Sequence, residues 1–211
     1  MSDGRPIRVA IFGESYLPYR SGVTISTEAL AHGLAAAGHE PMLVVPRPRE
    51  RAADRPPEHF PVVWLPSYQL PAVAPAGYRM PRPLASARVA AASVEAFRPD
   101  LIHAQSPFVS GRLAAALARR LRVPLVFTHH TRFADYRHYL GPLAAPGAAL
   151  TTSYLRRFWL RCDAVVAPSA HLAAEIAASL DETTDPARRR PLLRVIPTGL
   201  DLAALGAIAP L

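Results

Sequence analysis

The chain has 211 residues, half of them hydrophobic, so it can bury a sizeable core and its composition excludes a disordered polymer. Its 24 basic residues are all arginine and face 16 acidic ones, a formal balance of +8 that suits phosphate-bearing substrates, an anionic lipid surface or plain solvated helix faces. A single cysteine, Cys162, excludes an intrachain disulfide and a cysteine metal cluster, and no apolar run of about 18 residues offers a bilayer-spanning helix.

Taken in order, IRVAIF (7–12) reads as a buried strand, too short and wrongly placed for a secretion signal. VTISTEALAHGLAAAG (23–38) follows as a helix, with Ile25, Leu30 and Leu34 near helical spacing and Gly38 as its stop. MLVVP (42–46) and VVWLP (62–66) are the next strands. Between them lies a polar, proline-rich loop, and a second such loop runs over 66–83. Residues 83–97 then read as a helix, DLIHA (100–104) as a strand, 109–121 as an alanine-rich helix and PLVFTH (124–129) as another strand. Residues 147–160 are helical, DAVVAP (163–168) is a strand, Ser169 caps a helix that runs to Leu180, and LLRVIP (192–197) is a last strand after a charged loop.

Short apolar strands alternating with longer helices predict an α/β fold with a mostly parallel, doubly wound sheet, Rossmann-like in build. Such sheets keep their ligands beyond the carboxyl ends of the strands. The unusual loops all fall there: GESYLPYRSG after the first strand, HAQSPF after DLI, THHTRFADY after PLVF, and the Pro168–Ser169 turn after AVVA. Four weak local signals therefore converge on one crevice.

In the first of these loops Gly22 opens a helix whose free N–H groups suit a phosphate. Neither GxGxxG nor GK[ST] is present, which argues against a nicotinamide dehydrogenase or a P-loop ATPase. His103 and Gln105 sit two apart on a strand and so point to one side. Ser106-Pro107 also fits a plain helix start. The stretch VFTHHTRFADYRHY (126–139) is rich in histidine but is a poor metal site. His129 and His130 are adjacent and diverge, His130 and His138 lie eight apart, and HExxH is absent. With no GxSxG elbow either, a strand-end histidine remains as a hydrogen-bonding or proton-handling group, and the aromatics with Arg132 or Arg137 could position a polar acceptor. No nucleic-acid module is recognisable.

The pieces ESYLPYRSGVTIST, LAAAGHE, DLIHAQSPF, PLVFTHHTRFADYRHY, CDAVVAPSAHLAAEI and VIPTGLD stand in order over 7–201. In that order they resemble the N-terminal domain of family 4 glycosyltransferases, retaining enzymes of the GT-B fold. The branch most similar includes diacylglycerol glucosyltransferases and phosphatidylinositol mannosyltransferases. The resemblance implies a catalytic role for His130, the histidine of the family's HT pair, with Thr131 beside it, while His129 falls to packing. It implies that Gly22 lies in the glycine loop facing donor diphosphate and acceptor, with Tyr19 and Ser21 alongside; Ser21 stands where many members have glycine. His103, Gln105 and Ser106 match a crevice-lining stretch, Gln105 replacing a frequent histidine. Asp135, Tyr136 and Tyr139 match the acceptor side, and Ser169 the serine of a turn near the cleft.

The same resemblance implies a domain over 1–196 and the start of an interdomain linker over 197–211. The C-terminal donor domain, which would hold the nucleotide and neutralise the leaving diphosphate, is absent from this sequence. The implied donor is a UDP- or GDP-sugar acting as co-substrate, with no cofactor and no metal. The implied acceptor is a lipid or another glycosyl acceptor. A cytoplasmic place follows, with peripheral contact at the inner face of the membrane through the amphipathic segment TTSYLRRFWLRC (151–162), for which packing on the sheet is the competing reading. A non-catalytic remnant or binding module is the alternative function. A GT-B sugar-nucleotide epimerase is a third, which the DYxHY segment opposes.

Overall fold

The computed structural model describes residues 5–49, 59–69, 77–130, 144–182 and 189–199. The leading strand β1 (Arg8–Phe12) is followed by α1 (Gly22–Ala36), then β2 (Glu40–Pro46) and β3 (Val62–Leu65). Two short strands, β4 (Ser67–Gln69) and β5 (Arg79–Pro81), precede α2 (Pro83–Phe97). The second half runs β6 (Leu101–Ala104), α3 (Val109–Leu121), β7 (Leu125–Thr128), α4 (Ala144–Trp159), β8 (Ala164–Ala167), α5 (Ala170–Asp181) and β9 (Leu192–Val195).

Seven strands form one sheet in the order β3-β2-β1-β6-β7-β8-β9, and every pair in it is parallel. Strands covered on both faces need continuous apolar runs. β2 meets this from Pro41 to Pro46, and β1 from Val9 to Phe12. Phe12, Ala104, Leu125, Phe127 and Val165 face the large core together with α2, α3, α4 and α5. Val9, Ile11, Leu43 and Val45 face a smaller core with α1. The rings of Phe127 and Phe158 meet edge to face at 5.0 Å inside the large core.

Helix ends follow local chemistry. Ser21 caps α1 by a capping box: its hydroxyl accepts from Thr24 N–H at 3.2 Å, and Thr24 Oγ1 accepts from Ser21 N–H at 2.8 Å. Beyond α1, Gly38 takes φ +81°, the left-handed turn that glycine adopts freely. α2 opens with Pro83 in its first turn, where the missing N–H is no loss.

Two parts of the second proline-rich stretch, 67–69 and 79–81, form strands where the sequence predicts a loop. β4 and β5 pair antiparallel, with Tyr68 opposite Met80, and the Arg79 guanidinium donates to the Ser67 hydroxyl at 2.9 Å and to its carbonyl at 3.0 Å. Three-residue strands ending on Pro81 are too short to show a period-2 pattern. α4 also differs from expectation, starting at Ala144 instead of 147. Its Leu155, Phe158 and Trp159 are buried in the large core, so the apolar face of TTSYLRRFWLRC packs on the sheet. Arg156 on the same helix is tied to Glu182. Cys162 follows in the turn, buried, its thiol donating to the Phe158 carbonyl at 3.4 Å.

Candidate functional site

The chain winds outward from β1 through β2 to β3, then returns to the other flank of β1 and winds from β6 to β9. β1 and β6 are thus neighbours whose carboxyl ends lead away in opposite directions, the place where doubly wound sheets bind ligands. Loops from β1, β6, β7 and β8 all leave this rim.

At the end of β1 the chain tightens. A Cβ on Gly13 would sit 3.2 Å from both the Ser15 carbonyl and Val45 Cγ1. Glu14, Ser15 and Tyr16 after it are buried. Glu14 Oε2 accepts from Ser110 N–H at 2.9 Å and from the Ser110 hydroxyl at 2.6 Å, so it ties the β1 loop to the first turn of α3. Burial raises its pKa above the ordinary carboxylate value against the opposing pull of the Ser110 bonds, and among the described residues its Oε1 has no hydrogen-bond partner. Tyr19 packs edge to face on Tyr78 at 5.3 Å. The Tyr78 hydroxyl is pushed up to about 12, first by burial and then by Glu14, Tyr19 and Tyr68 nearby. Gly22 opens α1, and a Cβ built on it would meet nothing within 4 Å.

Across the switch point, β6 and β7 present matched side chains. His103 Nε2 lies 2.8 Å from Thr128 Oγ1, and His130 Nε2 donates to Gln105 Oε1 at 2.7 Å. The partners are two apart on each chain, so they form two rungs on one side of the sheet. Both rings lie among protein atoms although each keeps some solvent contact. Desolvation drives His103 down to about 4, with His130 adding a smaller push, and desolvation alone takes His130 down to about 4. At neutral pH both imidazoles are therefore uncharged. With its Nε2–H given to Gln105, His130 offers Nδ1 as an acceptor. Gln105 is buried, its backbone N–H bonded to the Phe12 carbonyl at 2.9 Å and its amide nitrogen without a partner among the described residues.

Other expected residues have structural duties at the same rim. Ser106 is buried and its hydroxyl accepts from Phe108 N–H at 3.3 Å. Ser169 caps α5, accepting from Leu172 N–H at 3.3 Å, as Ser21 caps α1. His129 is buried between the rings of Phe127 and Trp159, at 5.6 and 5.3 Å, in a packing position. Thr131, Asp135, Tyr136 and Tyr139 lie outside the described residues, as do Arg132, Arg137 and His138. Glu14 was not among the sequence candidates. Its main partner is 96 residues away, and only the lone carboxylate directly after a buried strand hinted at it.

The rim thus joins a helix N-terminus carrying partial positive charge to a pair of neutral imidazoles and an amide. That combination suits a phosphate beside a hydroxyl-bearing group. Among the described residues no group of three or more His, Cys, Asp and Glu is placed to hold a metal ion.

The model of glycosyltransferase family 4 matches residues 20–204. The chain belongs to that family. It is 30% identical over 77% of its length to an alpha-monoglucosyldiacylglycerol synthase of Acholeplasma laidlawii, covering 41% of that protein. It is 31% identical over 86% of its length to a GDP-mannose-dependent alpha-mannosyltransferase of Corynebacterium glutamicum, again covering 41%. The family 4 chain therefore spans about two fifths of the length of these relatives. Among solved structures it resembles a sucrose-phosphate synthase of Thermosynechococcus elongatus, with TM-score 0.55, 17% identity, and coverage of 94% of this chain and 92% of that one. It also resembles Arabidopsis thaliana UGT89C1 complexed with UDP-L-rhamnose, with TM-score 0.54, 15% identity, and coverage of 93% and 49%. The fold is the Rossmann-like half of a GT-B glycosyltransferase.

Proposed function

We propose that this chain is the acceptor-side half of a retaining hexosyltransferase. In this reading it takes part in moving a hexosyl group from a UDP- or GDP-sugar to a lipid or another glycosyl acceptor, and it needs a C-terminal donor domain for turnover. The observation that carries the reading is the pair of rungs, His103 with Thr128 and Gln105 with His130, on the rim where α1 begins. A neutral His130 can hydrogen-bond a sugar hydroxyl without placing a cation beside the anomeric centre, where positive charge develops as the bond to phosphate breaks. The N-terminus of α1 favours the departing phosphate. The names of the two relatives support a nucleotide-sugar donor and a lipid acceptor in this family.

Among the described residues no helix is long and apolar enough to cross a membrane. We place the protein in the cytoplasm with peripheral contact at the inner membrane face, and we assign it no metal and no nucleic-acid partner.

The test is transfer of labelled sugar from UDP-glucose and GDP-mannose to diacylglycerol and glycolipid acceptors, by this chain joined to a family donor domain. His130→Ala should lower kcat by about 100-fold or more with the circular dichroism spectrum unchanged. Full activity in that variant would remove His130 from the mechanism. Turnover by the 211-residue chain alone would remove the need for a donor domain.

A further inference from the structure

A second polar concavity lies away from the rim. It is a groove of about 760 Å³ along one face of α3, lined by Arg112, Ala115, Ala116 and Arg119, and it continues past Arg122 to the start of β7 and to Arg161 and Asp163. Positions 112, 115, 116 and 119 follow the i, i+3, i+4, i+7 spacing of a single helix face. Pro124 and Asp163 directly precede β7 and β8, and Leu125 opens β7, so the groove ends at the amino edge of the sheet, opposite the rim.

The groove brings four arginines into one lining. Several other arginines stand beside carboxylates: Arg5 and Arg8 with Asp100, Arg120 with Glu95, Arg156 with Glu182, Arg190 with Asp181. The guanidinium groups of Arg112, Arg119, Arg122 and Arg161 have no such partner among the described residues. The one carboxylate in the lining, Asp163, is already occupied. Its Oδ2 accepts from Leu125 N–H at 2.9 Å, and its Oδ1 lies 3.2 Å from Arg189. Arg122 moreover takes the left-handed conformation, φ +56°, at the C-cap of α3, a place where glycine is at ease. Four like charges gathered without compensation raise one another's energy, and a bound anion removes that cost.

We propose that the α3 groove is a binding site for a soluble phosphate-bearing anion of about diphosphate size. Guanidinium forks match phosphate oxygens in geometry and charge. The volume fits a small molecule. The apolar part of the lining is Ala115, Ala116, Ala118, Val123, Pro124 and the buried Leu125, with no large exposed apolar side chain to insert into a bilayer, and the concave shape suits a ligand that enters it. The site is independent of the crevice and does not rest on the glycosyltransferase reading.

The test is calorimetric titration of the 211-residue chain with pyrophosphate and with inorganic phosphate at low ionic strength. The variants are Arg112→Gln/Arg119→Gln, Arg122→Gly, Arg120→Gln and Gly22→Val, each checked for fold by circular dichroism. Pyrophosphate should bind, the double variant should weaken it by at least tenfold, and added salt should weaken it further. Arg122→Gly relieves the left-handed strain, so it should melt no lower than the parent yet bind pyrophosphate more weakly. Arg120→Gln should bind like the parent, and Gly22→Val should retain the binding that Arg112→Gln/Arg119→Gln weakens. The proposal fails if pyrophosphate does not bind, if Arg112→Gln/Arg119→Gln and Arg122→Gly bind unchanged, or if Gly22→Val abolishes binding. It fails equally if the chain associates with phosphatidylglycerol vesicles but ignores pyrophosphate.

Discussion

Gly22 and the two rim histidines make opposite demands on their surroundings. The space around a Cβ at Gly22 is open, so a larger side chain strains nothing in the free chain. Gly22→Val should therefore keep the melting temperature within about 2 °C. On the proposed function it should still raise KM for the nucleotide sugar once this chain is joined to a donor domain, because the added methyls would stand where that reading puts the phosphate. The histidines are costly to protonate in place. Their folded pKa of about 4 lies below the ordinary 6.5, so the unfolded chain binds more protons between these values. Their contribution to stability is fully present above pH 6.5 and is lost as pH falls towards 4. Urea midpoints between pH 7 and 4.5 should fall, and His103→Asn should reduce that fall. Glu14 acts with the reverse sign: its raised pKa favours the folded state at low pH and is a penalty as pH rises through the folded value. That His103 and Gln105 point to one side was legible from strand alternation, whereas the choice of His130 over His129 rested on the resemblance. The Gln105–His130 bond was not legible, since it joins residues 25 apart whose register only the sheet decides.

At the scale of elements, the inner strands of the large sheet were readable because burial on both faces forces uninterrupted apolar runs, and Ser169 announced its helix, whereas the cap that Ser21 places on α1 was not read. The β4–β5 hairpin was hidden, since side chains of Arg79 and Ser67 hold it together more than any hydrophobic alternation does. Packing of α3 on its own leading loop was hidden as well. A Cβ at Gly111 would fall 1.9 Å from the Ser106 carbonyl oxygen and 3.0 Å from the Phe158 ring. The clash is with backbone, so no rotamer change relieves it. Gly111→Ala should destabilise the fold by about 3 kcal/mol despite alanine's better helix propensity, a loss that denaturant titration would show. Because the same loop carries Gln105, this variant should also disturb the His130 rung.

Over the whole molecule, the sheet has two unlike flanks. β3 at one end is half-buried, whereas β9 at the other leaves Leu192 and Val195, with Ile196 just beyond it, about half exposed. An uncovered edge strand with apolar side chains is a template for pairing with another chain. The isolated chain should therefore elute progressively earlier in gel filtration as its concentration rises, and Val195→Lys should suppress that shift. VIPTGLD begins on this strand, which links the flank to the segment on which the resemblance places the passage to the donor half.

Cys162 gives the molecule an internal clock. Its thiol is enclosed between the end of α4 and β8, and burial pushes its pKa far up, so in the closed fold a reagent such as an aromatic disulfide finds neither access nor thiolate. With no second sulfhydryl in the sequence to confuse the signal, the pace of modification reads how often this corner comes apart.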